Sequence, residues 1–307
     1  MTYCVAIRID QGLVFLSDSR TNAGVDQIST FRKMTVFERP GDRVLVLMTA
    51  GNLAISQAVR QILADPDDPS KPHIWTASSM LEAVKLVGDA VRRVHERDAE
   101  ALDRFGVEFS VSMVMGGQIG AERPRLFQIY APGNFIEAQD EAPYFQIGES
   151  KYGKPIIDRV VTPATPLDEA AKCALISMDS TLRSNVSVGL PLDLLVYERG
   201  ALRVTRFVQI DGTNPYFQMI RDTWGSRLRQ VFQEIPDPRW RAPTEAWSPE
   251  GEGAEVPSLA PRNASQRQPM RVAPPGTSPD APAPAAPTVQ TLAQIASADP
   301  GGGAGPR

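Results

Sequence analysis

Histidine and cysteine are almost missing from this 307-residue chain, which holds two of each. His73 and His95 lie in no metal-ligand spacing. A zinc site draws on three or four nitrogen or sulfur ligands, and a Ser-His-Asp triad needs a histidine between acid and nucleophile. Neither is expected here, so no metal and no cofactor are predicted. Cys4 and Cys173 are far apart in apolar surroundings and read as buried reduced thiols. An excess of basic charge is missing too: 32 Lys and Arg stand against 36 Asp and Glu, a net charge of −4. That balance argues against a nucleic-acid partner, which calls for a basic face. No apolar run approaches the ~18–20 residues of a membrane span. The N-terminus has neither the basic segment nor the long apolar stretch of a secretory signal. A soluble cytoplasmic protein is the expectation, and 42% hydrophobic residues suffice for a sizeable core.

The composition changes near Pro243. Residues 243–307 hold 13 of the 27 prolines and one aromatic, Trp247, and end Pro300-Gly-Gly-Gly-Ala-Gly-Pro-Arg307. Such a segment cannot bury enough apolar area to offset its ordering entropy, so it is expected to be a disordered tail. The folded domain is expected over residues 1–242, or 2–242 once Met1 is removed.

Within it, β-formers and a turn at 10–12 predict a hairpin of strands over 3–9 and 13–17. Residues 19–30 read as a polar loop. A second hairpin is expected from 31–38 and 43–49 around the turn Arg39-Pro-Gly-Asp42. Helical periodicity then begins behind Asn52, a good N-cap, with Leu53, Ile55, Ala58, Val59, Ile62 and Leu63 on a mostly apolar face. A long helix is expected over 78–105. Strands follow over 108–115, 125–130 and 145–147, helices over 154–160 and 168–184, strands over 194–198 and 202–210, and a last helix over 216–232. The order is strands, helix pair, strands, helix pair, strands. It fits an α+β fold in which two antiparallel sheets lie between two helical layers, not a parallel βα arrangement.

With no histidine base at hand, the residue to examine is Thr2. Methionine aminopeptidase removes Met1 when a small residue follows, which leaves a threonine with its hydroxyl and a free α-amine. An α-amine titrates near ~7.7–8.0. It can therefore serve as general base to its own hydroxyl. If the second strand returns beside the first, Asp18 comes back close to Thr2. Lys33 on the next strand can then meet both, lowering the pKa of the hydroxyl and the amine by its charge while Asp18 holds it in place. Gly51, at the start of a helix, offers a backbone N–H for an oxyanion.

Several stretches carry a resemblance: Gly12-Leu-Val-Phe-Leu-Ser-Asp-Ser-Arg20, Lys33 and Thr49-Ala-Gly51, together with Thr2. On these the chain resembles a proteasome-type peptidase of the N-terminal nucleophile hydrolase superfamily. Met1-Thr-Tyr-Cys-Val-Ala-Ile-Arg8, Phe15-Leu-Ser-Asp-Ser-Arg-Thr-Asn-Ala-Gly-Val-Asp26 and Ile147-Gly-Glu-Ser-Lys-Tyr-Gly-Lys154 make it most similar to the bacterial Anbu, or ancestral β-subunit, family. The resemblance implies a four-layer αββα sandwich, self-association into a multi-subunit ring or open ring-like helix, and hydrolysis of peptide amides through an acyl-enzyme on Thr2. It implies that Asp18 and Lys33 are the charge partners of Thr2 and that Arg20 anchors the site loop. Asn22 and Gly51 would offer backbone groups to a substrate. Thr49 and Leu53 would line the pocket before the scissile bond. It leaves open whether an unfoldase cooperates.

The sequence departs from that pattern in two places. A distal serine that supports the threonine falls in Gly148-Glu149-Ser150, so either Glu149 or Ser150 takes its place. The supporting Asp-x-x-Ser pair falls on Ser184 and Ser187, so the serine matches while Ser184 stands where Asp is expected. Asp179 lies about a turn earlier. An amidohydrolase acting on a small amide, and a weakly active assembly scaffold, are the alternatives to a peptidase.

Overall fold

The computed structural model describes residues 2–22, 28–66, 68 and 70–238. The chain divides into two units, Met1–Glu234 and Ile235–Arg307. The predicted tail over 243–307 lies outside the described residues.

In the first unit, strand β1 (Tyr3–Ile9) turns at 10–11 into β2 (Gly12–Asp18), and the two pair antiparallel with Cys4 opposite Ser17. Two short strands follow, β3 (Arg20–Asn22) and β4 (Ile28–Thr30), and then β5 (Met34–Arg39) and β6 (Arg43–Gly51). Helices α1 (Leu53–Ala64) and α2 (Met80–Arg104) come next. They lead into β7 (Val111–Ile119), β8 (Arg125–Ile129), β9 (Phe135–Glu137) and β10 (Tyr144–Gly148). A 3-10 turn, Ser150–Tyr152, precedes α3 (Lys154–Val160) and α4 (Leu167–Ser184). The unit closes with β11 (Leu192–Glu198), β12 (Arg206–Ile210) and α5 (Pro215–Glu234).

These elements form two five-stranded sheets, in the orders β10-β1-β2-β11-β12 and β5-β6-β7-β8-β9, with every pairing antiparallel. Strand alternation sends successive side chains to opposite faces, and here both faces are covered. Tyr3, Val5, Ile7 and Ile9 of β1 face a core shared with α4 and α5, whereas Cys4 and Ala6 face the other sheet. On β6, Leu45 and Leu47 face α1 and α2, and Val44, Val46, Met48 and Ala50 face the first sheet. Three apolar layers therefore separate four structural ones, and the fold is an αββα sandwich. Double coverage also explains why β1, β2 and β6 are apolar at nearly every position. Both cysteines are free and buried, and burial pushes the Cys173 thiol up to about 11.

The structure differs from the sequence reading in several elements. Residues 19–30 contain the ribbon β3–β4, with Arg20 opposite Thr30. Three residues a side, of which only Ile28 is apolar, give too little period-2 signal to predict it. Strand β5 starts at Met34, so Lys33 precedes the strand, although the Lys33 carbonyl still accepts a hydrogen bond from the Thr49 N–H at 3.0 Å. Strand β7 runs on through Gly116 and Gly117 to Ile119. A Cβ on Gly116 would stand 2.8 Å from the Phe15 ring, so the glycine there admits an aromatic from the facing sheet. Strand β9 was not expected, and β12 begins at Arg206, four residues late. Leu202 is drawn out of the ladder, its N–H donating to the Tyr197 hydroxyl and its carbonyl accepting from Gly41. Among the described residues no helix is long and apolar enough to cross a membrane.

Candidate active site

The β1–β2 hairpin sets the site. Its register carries Asp18 back beside the start of β1, where the Tyr3 N–H donates to Asp18 Oδ1 at 3.0 Å. Lys33 Nζ donates to the same oxygen at 2.6 Å and to the Arg20 carbonyl at 2.7 Å. The Gly189 N–H reaches Asp18 Oδ2 at 3.4 Å. Asp18 is wholly buried and Lys33 nearly so. Burial pushes the Asp18 carboxyl above the usual carboxylate range, and the charge and hydrogen bond of Lys33 pull against that shift, helped by the Tyr3 and Gly189 N–H groups. A carboxylate so placed fixes an ammonium group in direction as well as in charge.

Thr2 is half-buried, and its carbonyl accepts the Glu149 N–H at 2.7 Å. Gly148, opposite Tyr3 in the ladder, has φ +81, and a Cβ there would sit 1.9 Å from the Thr2 carbonyl oxygen. Only glycine lets β10 close on residue 2 in this way. One residue further on, the Tyr3 hydroxyl is held by Ser177 and by Gln146 Nε2, at 2.6 Å from the latter, and burial pushes its pKa up.

A cleft of about 480 Å³ opens at Thr2. Lys33, Thr49, Gly51 and Leu53 line it with Thr2 and Arg20, so six of the predicted site residues meet there. Arg20 also anchors a loop: its Nη1 donates to the Val186 carbonyl at 2.8 Å, and its guanidinium occupies the space a side chain at residue 189 would need. Asn22 ends β3, opposite Ile28. Gly51 ends β6 ahead of the Asn52 cap, whose Oδ1 accepts the Ala54 N–H at 2.9 Å. Its glycine is required by β7: φ is +107, and a Cβ would lie 2.4 Å from the Ser110 carbonyl oxygen. Asp18 lies behind Lys33, outside the cleft surface.

Ser150 and Ser187 are not among the described residues lining the cleft; Glu149 is, its carboxylate 3.6 Å from Lys151 Nζ. Ser187 donates its backbone N–H to Asn185 Oδ1 at 2.9 Å. Ser184 is exposed. Asp179 points away, into Arg183 at 2.9 Å and Arg221 at 3.2 Å, so it does not replace the carboxylate absent at position 184. The sequence reading missed Arg32, Ser56, Arg60 and Ser112 in the lining. For Ser56 and Arg60 a signal was present, since residues 53, 56 and 60 recur at i, i+3 and i+7 on one helical face. Among the described residues no group of three or more His, Cys, Asp and Glu could hold a metal ion.

No protein-family model and no curated protein matches the chain. Solved structures do. Anbu (ancestral beta-subunit) from Yersinia bercovieri is 52% identical over 77% of this chain and 99% of its own, with a TM-score of 0.73. The chain belongs to the Anbu family. An Anbu (Gly-1) mutant from Hyphomicrobium sp. strain MC1 is 48% identical over 77% of this chain and 99% of its own, with a TM-score of 0.72. A structure described as the helical assembly of the Anbu complex from Pseudomonas aeruginosa is 46% identical over 77% and 98%, with a TM-score of 0.74. Membership places the αββα sandwich with the proteasome-type β-subunits.

Proposed function

We propose that this Anbu chain is a threonine-type peptidase that works as a self-assembled, proteasome-like complex. The observation that carries the reading is the Asp18 carboxylate held between the Tyr3 N–H and Lys33 Nζ directly behind Thr2. Once Met1 is removed, the Thr2 α-amine takes the hydroxyl proton as Oγ1 attacks the substrate carbonyl carbon. The carbonyl π pair moves to oxygen, and the Gly51 N–H stabilises the resulting oxyanion. Collapse of the tetrahedral intermediate breaks the C–N bond, and the proton held by the amine passes to the leaving amine. An ester on Thr2 remains. Water, giving up its proton to the same amine, attacks that ester and releases the acid and the free hydroxyl. The Lys33 charge lowers the cost of the alkoxide-like transition state.

Self-association finds support in the helical assembly of the Pseudomonas aeruginosa relative. It also fits the exposed apolar residues of α5, where Tyr216 and Met219, and then Leu228, Val231 and Phe232, recur at helical spacing. The exposed Ser184 and the diverted Asp179 favour a second reading, a weakly active or inactive assembly scaffold, because no carboxylate from that segment supports the amine. A small amide as substrate would use the same chemistry.

Intact mass on protein made without an N-terminal tag decides between them. The peptidase reading expects loss of Met1 and one adduct with an epoxyketone or β-lactone, absent from Thr2→Ala. Retained Met1, or assembled and processed protein that takes no adduct, overturns it in favour of the scaffold.

A further inference from the structure

The cleft at Thr2 carries more positive charge than its chemistry needs. Lys33 is balanced by Asp18 at 2.6 Å, and Glu149 is occupied by Lys151 at 3.6 Å. Arg32 and Arg60 also line the cleft, and neither forms an ion pair with a carboxylate among the described residues. Arg32 lies over the Phe207 ring at 5.9 Å and feels the charge of buried Asp193 only from a distance.

Arg60 is the more telling of the two. It stands on α1 in line with Leu53 and Ser56, all three lining the cleft. Helical side chains lean toward the N-terminus of their helix, which on α1 is the Gly51 end. The guanidinium lies against the segment next to Lys33: Nη1 makes two long contacts, 3.4 Å to the Arg32 carbonyl and 3.4 Å to Thr35 Oγ1. Its Nε is buried without a hydrogen-bond partner. A guanidinium has five donors, and this one leaves most of them unused at the wall of a cleft. Ser56 brings no charge to meet it, and its hydroxyl donates to the Asn52 carbonyl. A half-buried arginine without a counter-charge is costly to keep, and its planar fork matches a carboxylate.

We infer that Arg60, seconded by Arg32, selects substrates with a carboxylate side chain, Asp or Glu, on the residue just before the scissile bond. Leu53 and Thr49 flank the stem of that side chain, and the unpaired donors of Arg60 meet its head. This deepens the peptidase reading and rests on it for the identity of the bond that is cut. Arg60 is a specificity residue and takes no part in the proton transfers.

The test separates recognition from chemistry. Assembled Thr2→Ala protein, which cannot turn over, is titrated calorimetrically with N-acetyl tripeptide amides that differ only in a final Glu, Gln, Leu or Lys. The Glu peptide is expected to bind on the order of tenfold tighter than its neutral Gln isostere, as for a partly desolvated charge pair. Adding Arg60→Met should erase that ratio. Adding Arg60→Glu should turn the preference toward the Lys peptide, a gain that a merely damaged pocket would not show. A single N-acetyl-Glu amide that binds as tightly as the tripeptide would keep the charge rule but overturn a peptide as its bearer. Equal affinities for Glu and Gln, tighter binding of Leu or Lys, or no binding of any of them overturns the inference. Adduct formation on untagged wild-type protein reports separately on Thr2, so neither result can be mistaken for the other.

Discussion

The two sides of the cleft are built differently. On the hairpin side, the charged pair beside Thr2 is tied to rigid partners: Asp18 to the Tyr3 N–H and Lys33, and Lys33 also to the Arg20 carbonyl. On the far side, none of residues 184–187 is among the described residues lining the cleft, and the loop is reached through its backbone. Arg20 holds the Val186 carbonyl, and the Gly189 N–H is what comes near Asp18. A buried charge pair needs fixed partners, and paired strands supply them. A loop between a helix end and a strand contributes here by where its main chain runs. Changes on the hairpin side should therefore be expensive, and changes on the far side cheap.

The largest effect is expected at Lys33. Lys33→Met leaves a wholly buried carboxylate without its counter-charge, and breaking one half of such a pair costs about 3–5 kcal/mol. Urea unfolding should show that loss, and adduct formation on Thr2 should vanish with it. Adding Asp18→Asn should recover part of the stability and none of the reactivity. A Lys33→Met protein as stable as wild type would break the contrast at its strong end.

Next in size is Gly148→Ala, for which Gly41 is an internal control. Both glycines have nearly the same backbone, φ +81 and +80, but a Cβ at Gly41 meets nothing within 4 Å. The conformation alone costs about 1 kcal/mol. The overlap with the Thr2 carbonyl should add about 1–3 kcal/mol. Thermal or chemical unfolding of the two variants reads the difference directly. Only Gly148→Ala should slow labelling of Thr2, because only there does the strain fall on the nucleophile.

Asp193 sharpens the comparison in the opposite direction. It stands across the β2–β11 pair from Ser17, 1% exposed, and neither its Oδ1 nor the Ser17 hydroxyl has a hydrogen-bond partner. Burial pushes its pKa up, with Arg32 acting against the shift. A carboxyl whose pKa is raised by folding favours the fold while it is protonated and loses that advantage as pH rises through the folded value. Above the unfolded value, folding must either bury the charge or take up a proton, and either weighs against the fold. Asp193→Asn should then stabilise the protein by about 1 kcal/mol at neutral pH. The gain should shrink to nothing below the unfolded carboxylate value of about 3.9. Stability curves at the two pH values check both the sign and the window. A pH-independent gain would point to packing instead.

What could be read in advance follows the same division. The hairpin, Asp18 and Lys33 were legible because a turn at 10–12 and β-forming runs fix a register, and register fixes which residues return to Thr2. Helix α1 announced itself through Asn52. Arg60 did not, since its significance lies in having no partner, and partners come from other elements. Nor does local sequence tell whether Glu149 or Ser150 faces the cleft, because that depends on the 3-10 turn that starts at Ser150. The ribbon β3–β4 and the passage of β7 through two glycines were hidden for a related reason: pairing with a neighbouring strand, not propensity, decides them.

The smallest effect is expected at Ser184, and it bears on the peptidase reading most directly. Among proteasome-like sequences a carboxylate is expected at that position, so Ser184→Asp is the natural repair. Yet Ser184 ends α4 on an exposed turn, and the segment after it is fixed by Asn185, Arg20 and Gly189. A new carboxylate there has open solvent to prefer and a screened path to the amine. Stability should change by less than about 0.5 kcal/mol, and the rate of adduct formation by less than about twofold. If the rate instead rises tenfold or more, the far side of the cleft acts through its side chains after all. The contrast between a wired side and a backbone-only side would then have to be given up.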